Sequence, residues 1–99
     1  MVNCVLIEKK ETSDIDIEHV NISKFLGGPL EIAGAIPELN VVAVSLREGQ
    51  VIEYSHLPNT NFEKNIKSKI VLVKTDEDAD PVDIYASEII TWLNQNGVI

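Results

Sequence analysis

Two runs of this chain are apolar on consecutive residues, and they constrain the fold more than any other feature. Residues 41–46 read VVAVSL and residues 70–73 read IVLV, so both faces of an extended strand would be apolar. Such strands lie in the middle of a sheet whose two faces are covered. One helix covers only one face of a small sheet, so residues 25–36 or another chain must cover the second. The pattern therefore predicts a partner protein or self-association, with a twofold dimer as the default.

Other segments carry weaker strand patterns. Alternation of polar and apolar residues in "SDIDIEHV" predicts a half-buried strand that forms a hairpin with the preceding apolar run. Gly34 inside an apolar segment indicates a bulge or the close approach of another group. Glu48-Gly49 predicts a tight turn before a further strand. These predicted strands cover residues 2–7, 13–20, 30–36 and 51–54.

Two helices are predicted. The first is short, over residues 22–26, and Gly27 suits the left-handed position that ends a helix. The second is C-terminal, with Asp80 as the N-cap, Pro81 at the first helical position and Gly97 at the end.

The fold class follows from this order of elements. We expect a single α+β domain over residues 1–99, with a mainly antiparallel sheet of about five strands. The short helix joins two strands, and the C-terminal helix packs on one face of the sheet.

Composition excludes several classes of function. The formal net charge is −8 and the pI is near 4.5, which argues against binding nucleic acid or anionic membranes by charge. Cys4 is the single cysteine, so an internal disulfide is impossible and a reducing, intracellular compartment is expected. The N-terminal apolar run is too short for a signal peptide or a membrane span.

The candidate site residues are few. Gly27 and Gly28 suit either a loop that cradles an anion or the end of a helix. The helix stop is the favoured interpretation, because the two glycines lack the spacing of a phosphate-binding motif. His56 and Asn59 lie in a loop suited to a ligand, while Tyr85 and Trp92 are residue types that favour protein contacts. We expect no metal site: the acidic run at 76–80 has Pro81 where a calcium loop needs glycine. No catalytic motif and no cofactor motif is found, so an enzyme is not expected.

Three segments carry a family resemblance. They are "KFLGGPLEIAGAIPELNVVAV" at 24–44, "HLPNTNF" at 56–62 and "IVLVKTDEDADPVDIYASEIITWL" at 70–93. Together they resemble a family of short uncharacterised proteins of large eukaryotic, chiefly algal, DNA viruses. More loosely, they are similar to a phage and plasmid family with a Gly-Gly segment ahead of a strand. The resemblance implies a virus-encoded accessory protein in the host cytoplasm and supplies no catalytic residues.

The expected function is therefore a small acidic, non-enzymatic binding protein that acts on a host protein. Two alternatives stay open. One is an oligomeric protein that sequesters a small ligand such as a nucleotide signal, provided that Lys64, Lys67 and Lys69 converge on the site. The other is an inhibitor that mimics DNA.

Overall fold

The computed structural model describes residues 1–97. Six strands and two α-helices follow one another, with short 3-10 turns at His19–Asn21 and Pro37–Leu39. The elements are β1 (Val2–Glu8), β2 (Glu11–Ile17), α1 (Ile22–Leu26), β3 (Leu30–Ile36), β4 (Val41–Leu46), β5 (Ile70–Thr75), β6 (Pro81–Val82) and α2 (Ala86–Asn96).

The strands form one antiparallel sheet, which confirms the predicted α+β class. The order is β2-β1-β5-β4-β3, and β6 pairs with the end of β5. The two apolar runs are the neighbouring strands β4 and β5 near the middle of the sheet, as predicted. β1 and β2 form the predicted hairpin around the Lys9-Lys10 turn, although β2 begins and ends earlier than the alternating pattern suggests.

The predicted start of the C-terminal helix is wrong. Pro81 begins β6 and pairs with Thr75, and α2 starts only at Ala86. The cause is local: Asp76 Oδ1 accepts hydrogen bonds from the backbone N–H groups of Asp78 and Asp80, at 2.9 Å and 3.0 Å, and so closes a turn that sends the chain back along β5. Proline is tolerated there because β6 lies at the sheet margin.

The predicted strand over residues 51–54 is also wrong. Ile52 forms an isolated bridge with Ile66 and Phe62 forms one with Gly34, and the rest of segment 47–69 has no regular secondary structure. This segment exceeds the roughly 15 residues beyond which structureless loops become uncommon. It is nevertheless anchored, because the Ser68 hydroxyl accepts from Leu46 N and the Tyr54 hydroxyl donates to Ser68 O.

The first face of the sheet carries the main core. Buried apolar side chains of β1, β3, β4 and β5 pack there against α2 and against segment 47–69, which supplies Leu57, Phe62 and Ile66. The C-terminal helix therefore lies on one face, as predicted, and Trp92 is only 6% exposed within this core.

Among residues 1–97, the second face is covered by α1 alone. Ile22 of α1 packs on Cys4 and Val71 at the centre, and these three side chains are buried. Around them the apolar residues stay half-buried, and Ile32 on β3 is 61% exposed. The half-buried residues are Val2, Leu6, Ile15, Ile17, Leu26, Leu30, Val44 and Val73.

Gly34 shows both properties expected of it. The β3–β4 register shifts between Ile32 and Gly34, which is a bulge. A side chain at Gly34 would meet Phe62 Cδ1 at 2.9 Å, because segment 47–69 runs directly beside the strand. The backbone N–H of Ala35 donates to Asn61 O and that of Glu63 donates to Ala33 O, so the chain's own loop closes this edge of the sheet.

Candidate functional site

The Gly27–Gly28 turn ends a helix, which confirms the structural interpretation of the sequence. Gly27 has a φ of 101°, the left-handed conformation that glycine adopts without strain. The backbone N–H groups of Gly27 and Gly28 both donate to Ser23 O, at 2.8 Å and 2.9 Å. Because these two donors are already bonded, the alternative use of this loop as an anion cradle loses the N–H groups on which it depends.

His56 lies between the β1–β2 turn and α2. It lines an open cleft of about 710 Å³ together with residues 8–11 and with Val51, Ile52, Glu53 and Ser55. Its Nε2 atom is buried and has no hydrogen-bond partner among the described residues. Burial, and then the neighbouring Lys10 charge, lower the pKa of His56, so the ring is neutral at pH 7.

The charges in this cleft do not select an anionic ligand. Glu8, Glu11 and Glu53 line it together with Lys9 and Lys10, so acidic groups outnumber basic ones. A cleft attracts a phosphate when positive charges cluster along its lining. The mixed charges of this cleft do not form such a cluster.

Asn59 lies elsewhere and is exposed. It lines a separate depression together with Lys64 and Lys67. Lys67 Nζ lies 3.5 Å from Glu31 Oε1, whereas Lys69 Nζ lies 3.5 Å from Glu8 Oε2. The three lysines on which the nucleotide alternative depended therefore do not converge on one site.

The two aromatic candidates have different surroundings. Trp92 is a core residue, so it offers no surface to a partner in this structure. Tyr85 is 46% exposed and stands at the start of α2, where its hydroxyl donates to Asp83 Oδ2 at 3.3 Å. The Asp83 charge raises the pKa of Tyr85, so its hydroxyl keeps its proton and remains a donor.

Two further groups were singled out by their chemistry. Carboxylates of Asp76, Asp78 and Asp80 lie within 4.8 Å of one another and are exposed, as expected of a turn built on Asp76. Cys4 is fully buried, and burial followed by the charges of Asp83 and Asp16 raises the pKa of its thiol to about 11. This thiol is protonated at neutral pH and is a poor nucleophile.

An open edge at β2 is the feature that sequence reasoning missed. β2 pairs with β1 over its whole length and has no strand on its other side within residues 1–97. Its side chains divide by face: Asp14 and Asp16 lie opposite Val5 and Asn3, on the side of α2, whereas Ile15 and Ile17 lie on the second face. The alternation in the sequence predicted one polar face and one apolar face for this strand, but it did not predict that the strand would lie at the edge of the sheet.

These features define an α+β protein with one closed sheet edge, one open acidic edge and a partly covered apolar face. The chain belongs to a family of unknown function (DUF5880), which it matches over residues 4–92. A search of curated proteins and a search of solved structures each found no match. Within residues 1–97, neither helix has the length and apolar character needed to cross a membrane.

Proposed function

We propose that this chain is a non-enzymatic protein-binding module that docks another protein along β2 and the adjoining part of the second face. The observation that carries this proposal is the contrast between the two sheet edges. The β3 edge is closed by hydrogen bonds from segment 47–69, whereas the β2 edge is open beside half-buried Ile15 and Ile17. Unpaired strand edges are templates for pairing with another chain.

The chemistry of the one thiol supports binding rather than nucleophilic catalysis. Burial keeps Cys4 protonated at neutral pH, so this thiol is a poor nucleophile.

The cellular setting belongs to the same proposal. The resemblance of segments 24–44, 56–62 and 70–93 to proteins of large DNA viruses supports a virus-encoded accessory protein that acts on a host protein in the cytoplasm. Detection of the protein in infected cells, and its absence from uninfected ones, is the measurement that checks this.

Crosslinking by position tests the docking surface. A photoreactive phenylalanine analogue replaces Asp16 on the open edge or, as the matched acidic control, Glu38 beyond β3, and the protein is expressed in cells of its source. We expect a protein adduct at Asp16 and none at Glu38. The captured protein, once purified, should bind the unmodified chain and bind Ile17→Lys at least about tenfold more weakly, because Ile17 loses its apolar contact.

Three outcomes would contradict the proposal. Equal adducts at both positions would mean unspecific contact. An adduct of twice the 11.0 kDa chain mass would mean that a second copy occupies the surface. No adduct at Asp16 would leave the surface without a partner.

A second candidate, the sequestering of a small ligand, is favoured by one observation. The unpartnered Nε2 atom of His56 borders a cleft large enough for a ligand. Native mass spectrometry of protein purified from its source tests it, since a retained ligand adds mass that His56→Ala should remove. A spectrum with the bare chain mass would end this candidate.

A further inference from the structure

We infer that the partner contributes an extended segment in which basic and apolar residues alternate, and that this segment pairs with β2 as an additional strand. The inference rests on the proposed function and deepens it. It depends on three properties of β2: the direction of its backbone groups, the charge on one of its faces and the apolar character of the other.

The backbone directions follow from Asn3. Its N–H donates to Asp83 Oδ1 at 2.7 Å and its carbonyl accepts from Ile84 N at 2.9 Å, so the backbone groups of Asn3 point away from β2. Neighbouring residues in a strand point their backbone groups to opposite sides. Val2, Cys4 and Leu6 therefore bond to β2, through their register partners Ile17, Ile15 and Ser13.

The intervening residues of β2 face the open edge. Thr12, Asp14 and Asp16 direct their backbone N–H and C=O groups away from β1, and no backbone–backbone bond outside the helices and strands reaches them within residues 1–97. Each offers one donor and one acceptor at two-residue spacing. This is the pattern that an added strand matches.

The acidic face selects basic side chains. Asp14 and Asp16 project on the α2 side of β2, and both are exposed. The two ion pairs found among residues 1–97 join Lys67 to Glu31 and Lys69 to Glu8, so neither acid of this face is paired with a cation. Asp14 Oδ1 accepts from two N–H groups but keeps its negative charge. Opposite charges directly across a strand pair are favourable, and like charges are unfavourable. A second copy pairing through the same face brings acids together, so a basic partner strand is preferred.

The opposite face selects apolar side chains. Ile15 and Ile17 are half-buried and continue the apolar surface formed by Val2 and Leu6 on β1. Side chains of an added strand also alternate between faces. Basic residues over Asp14 and Asp16 therefore place apolar residues beside Ile15 and Ile17.

A synthetic peptide tests this geometry. The probe is a peptide of about nine residues, a normal strand length, with alternating lysine and valine and with both ends capped. NMR-detected amide exchange of the full chain is measured with and without it. We expect exchange of Thr12, Asp14 and Asp16 to slow by about tenfold or more, because their N–H groups become bonded. A peptide with glutamate in place of lysine is the charge control and should leave these rates unchanged.

Two variants at one position separate the hydrogen bond from the charge. Asp16→Asn and Asp16→Pro remove the same charge, but only proline removes the outward N–H. Asparagine should weaken binding of the lysine–valine peptide roughly two- to fivefold. Proline should weaken it about tenfold further. Thr12→Pro against Thr12→Ala repeats the comparison if Asp16→Pro fails to fold.

The inference is overturned if the peptide binds without slowing exchange of Thr12 and Asp16, or if the proline and asparagine variants bind it equally. If the crosslink at Asp16 persists in cells while this peptide fails, the partner docks in another conformation and only the strand inference falls. Loss of both results removes the proposed function as well.

Discussion

The carboxylate of Asp14, on β2, caps the start of α2, a role that the sequence analysis predicted for Asp80. Asp14 Oδ1 accepts from the backbone N–H of Ala86, the first residue of α2, at 2.7 Å. It also accepts from Asn3 Nδ2 at 2.8 Å. A carboxylate at this position also interacts favourably with the helix dipole. We predict that Asp14→Ala destabilises the fold by separating α2 from the hairpin.

The magnitude follows from these contacts. Loss of a capping side chain costs about 0.5–2 kcal/mol. Asp14 is exposed, so in the alanine variant water can bond to the groups that lose the carboxylate. The lost hydrogen bond to Asn3 therefore adds only part of the free energy of a typical hydrogen bond. We therefore expect a loss of about 1–2 kcal/mol, which for a domain of this size lowers the melting temperature by about 5–15 °C. Asp14→Asn keeps the oxygen acceptor and should lose roughly half as much.

Asp16→Ala is the matched control. Asp16 lies on the same strand and face as Asp14, and its side chain makes no hydrogen bond within the described part of the chain. The Asp16→Ala substitution therefore removes the same charge without removing a hydrogen bond. Surface substitutions of this kind change stability by about 0.5 kcal/mol or less. Urea titration followed by circular dichroism should separate the two midpoints by about 1 M. Equal midpoints for Asp14→Ala and Asp16→Ala would refute the capping argument.

Further predictions concern four other positions. Gly27→Val should cost about 1–3 kcal/mol because a β-branched residue is strained at positive φ, whereas Gly27→Asn should cost less; equal melting temperatures for valine variant and wild type would remove the helix-stop argument. The Cys4 thiol should react with a thiol reagent at neutral pH only on unfolding, and rapid labelling of the native chain would contradict its burial. Calcium should not bind specifically at Asp76–Asp80; calorimetry showing micromolar binding that Asp78→Asn abolishes would overturn this. Folding lowers the pKa of His56, so this residue contributes stability that is fully present above its ordinary pKa of 6.5 and is lost as the pH falls through the folded-state pKa. The melting temperature of His56→Gln should therefore decline less steeply with acid than that of the wild type.

The sequence predicted the sheet because its signals were local. Apolar residues on both faces of β4 and β5 require burial wherever these strands lie, and alternation around Ile15 and Ile17 requires one covered face. Gly27 and Gly34 could also be interpreted from their immediate neighbours. Gly27 is needed for a positive φ at the end of α1, and Gly34 is needed because another part of the chain lies where a side chain would be.

The errors came from competition between local and distant partners. Pro81 suits a helix start as well as a sheet margin, and the hydrogen bonds of Asp76 decide between them. Residues 51–54 have strand composition, but β4 already has β3 and β5 as neighbours, so Ile52 bonds to Ile66 instead. The open β2 edge depends on the order of all strands in the sheet, which no short pattern contains.

The way the chain covers its own sheet explains why the candidate surface lies at β2. Segment 47–69 fills the first face beside α2 and also closes the β3 edge, and Gly34 makes this possible by letting the backbone of residues 61–62 approach. In the part of the chain that the structure describes, only α1 remains for the second face, and its buried contacts lie at the centre, on Cys4 and Val71. Half-buried apolar residues and unpaired backbone groups therefore meet along β2, whereas the more exposed Ile32 lies on β3, at the edge that segment 47–69 closes. Substitutions of Asp16 should consequently weaken partner binding without loss of stability, whereas substitutions of Asp14, which caps α2, and of half-buried Ile17 should affect both.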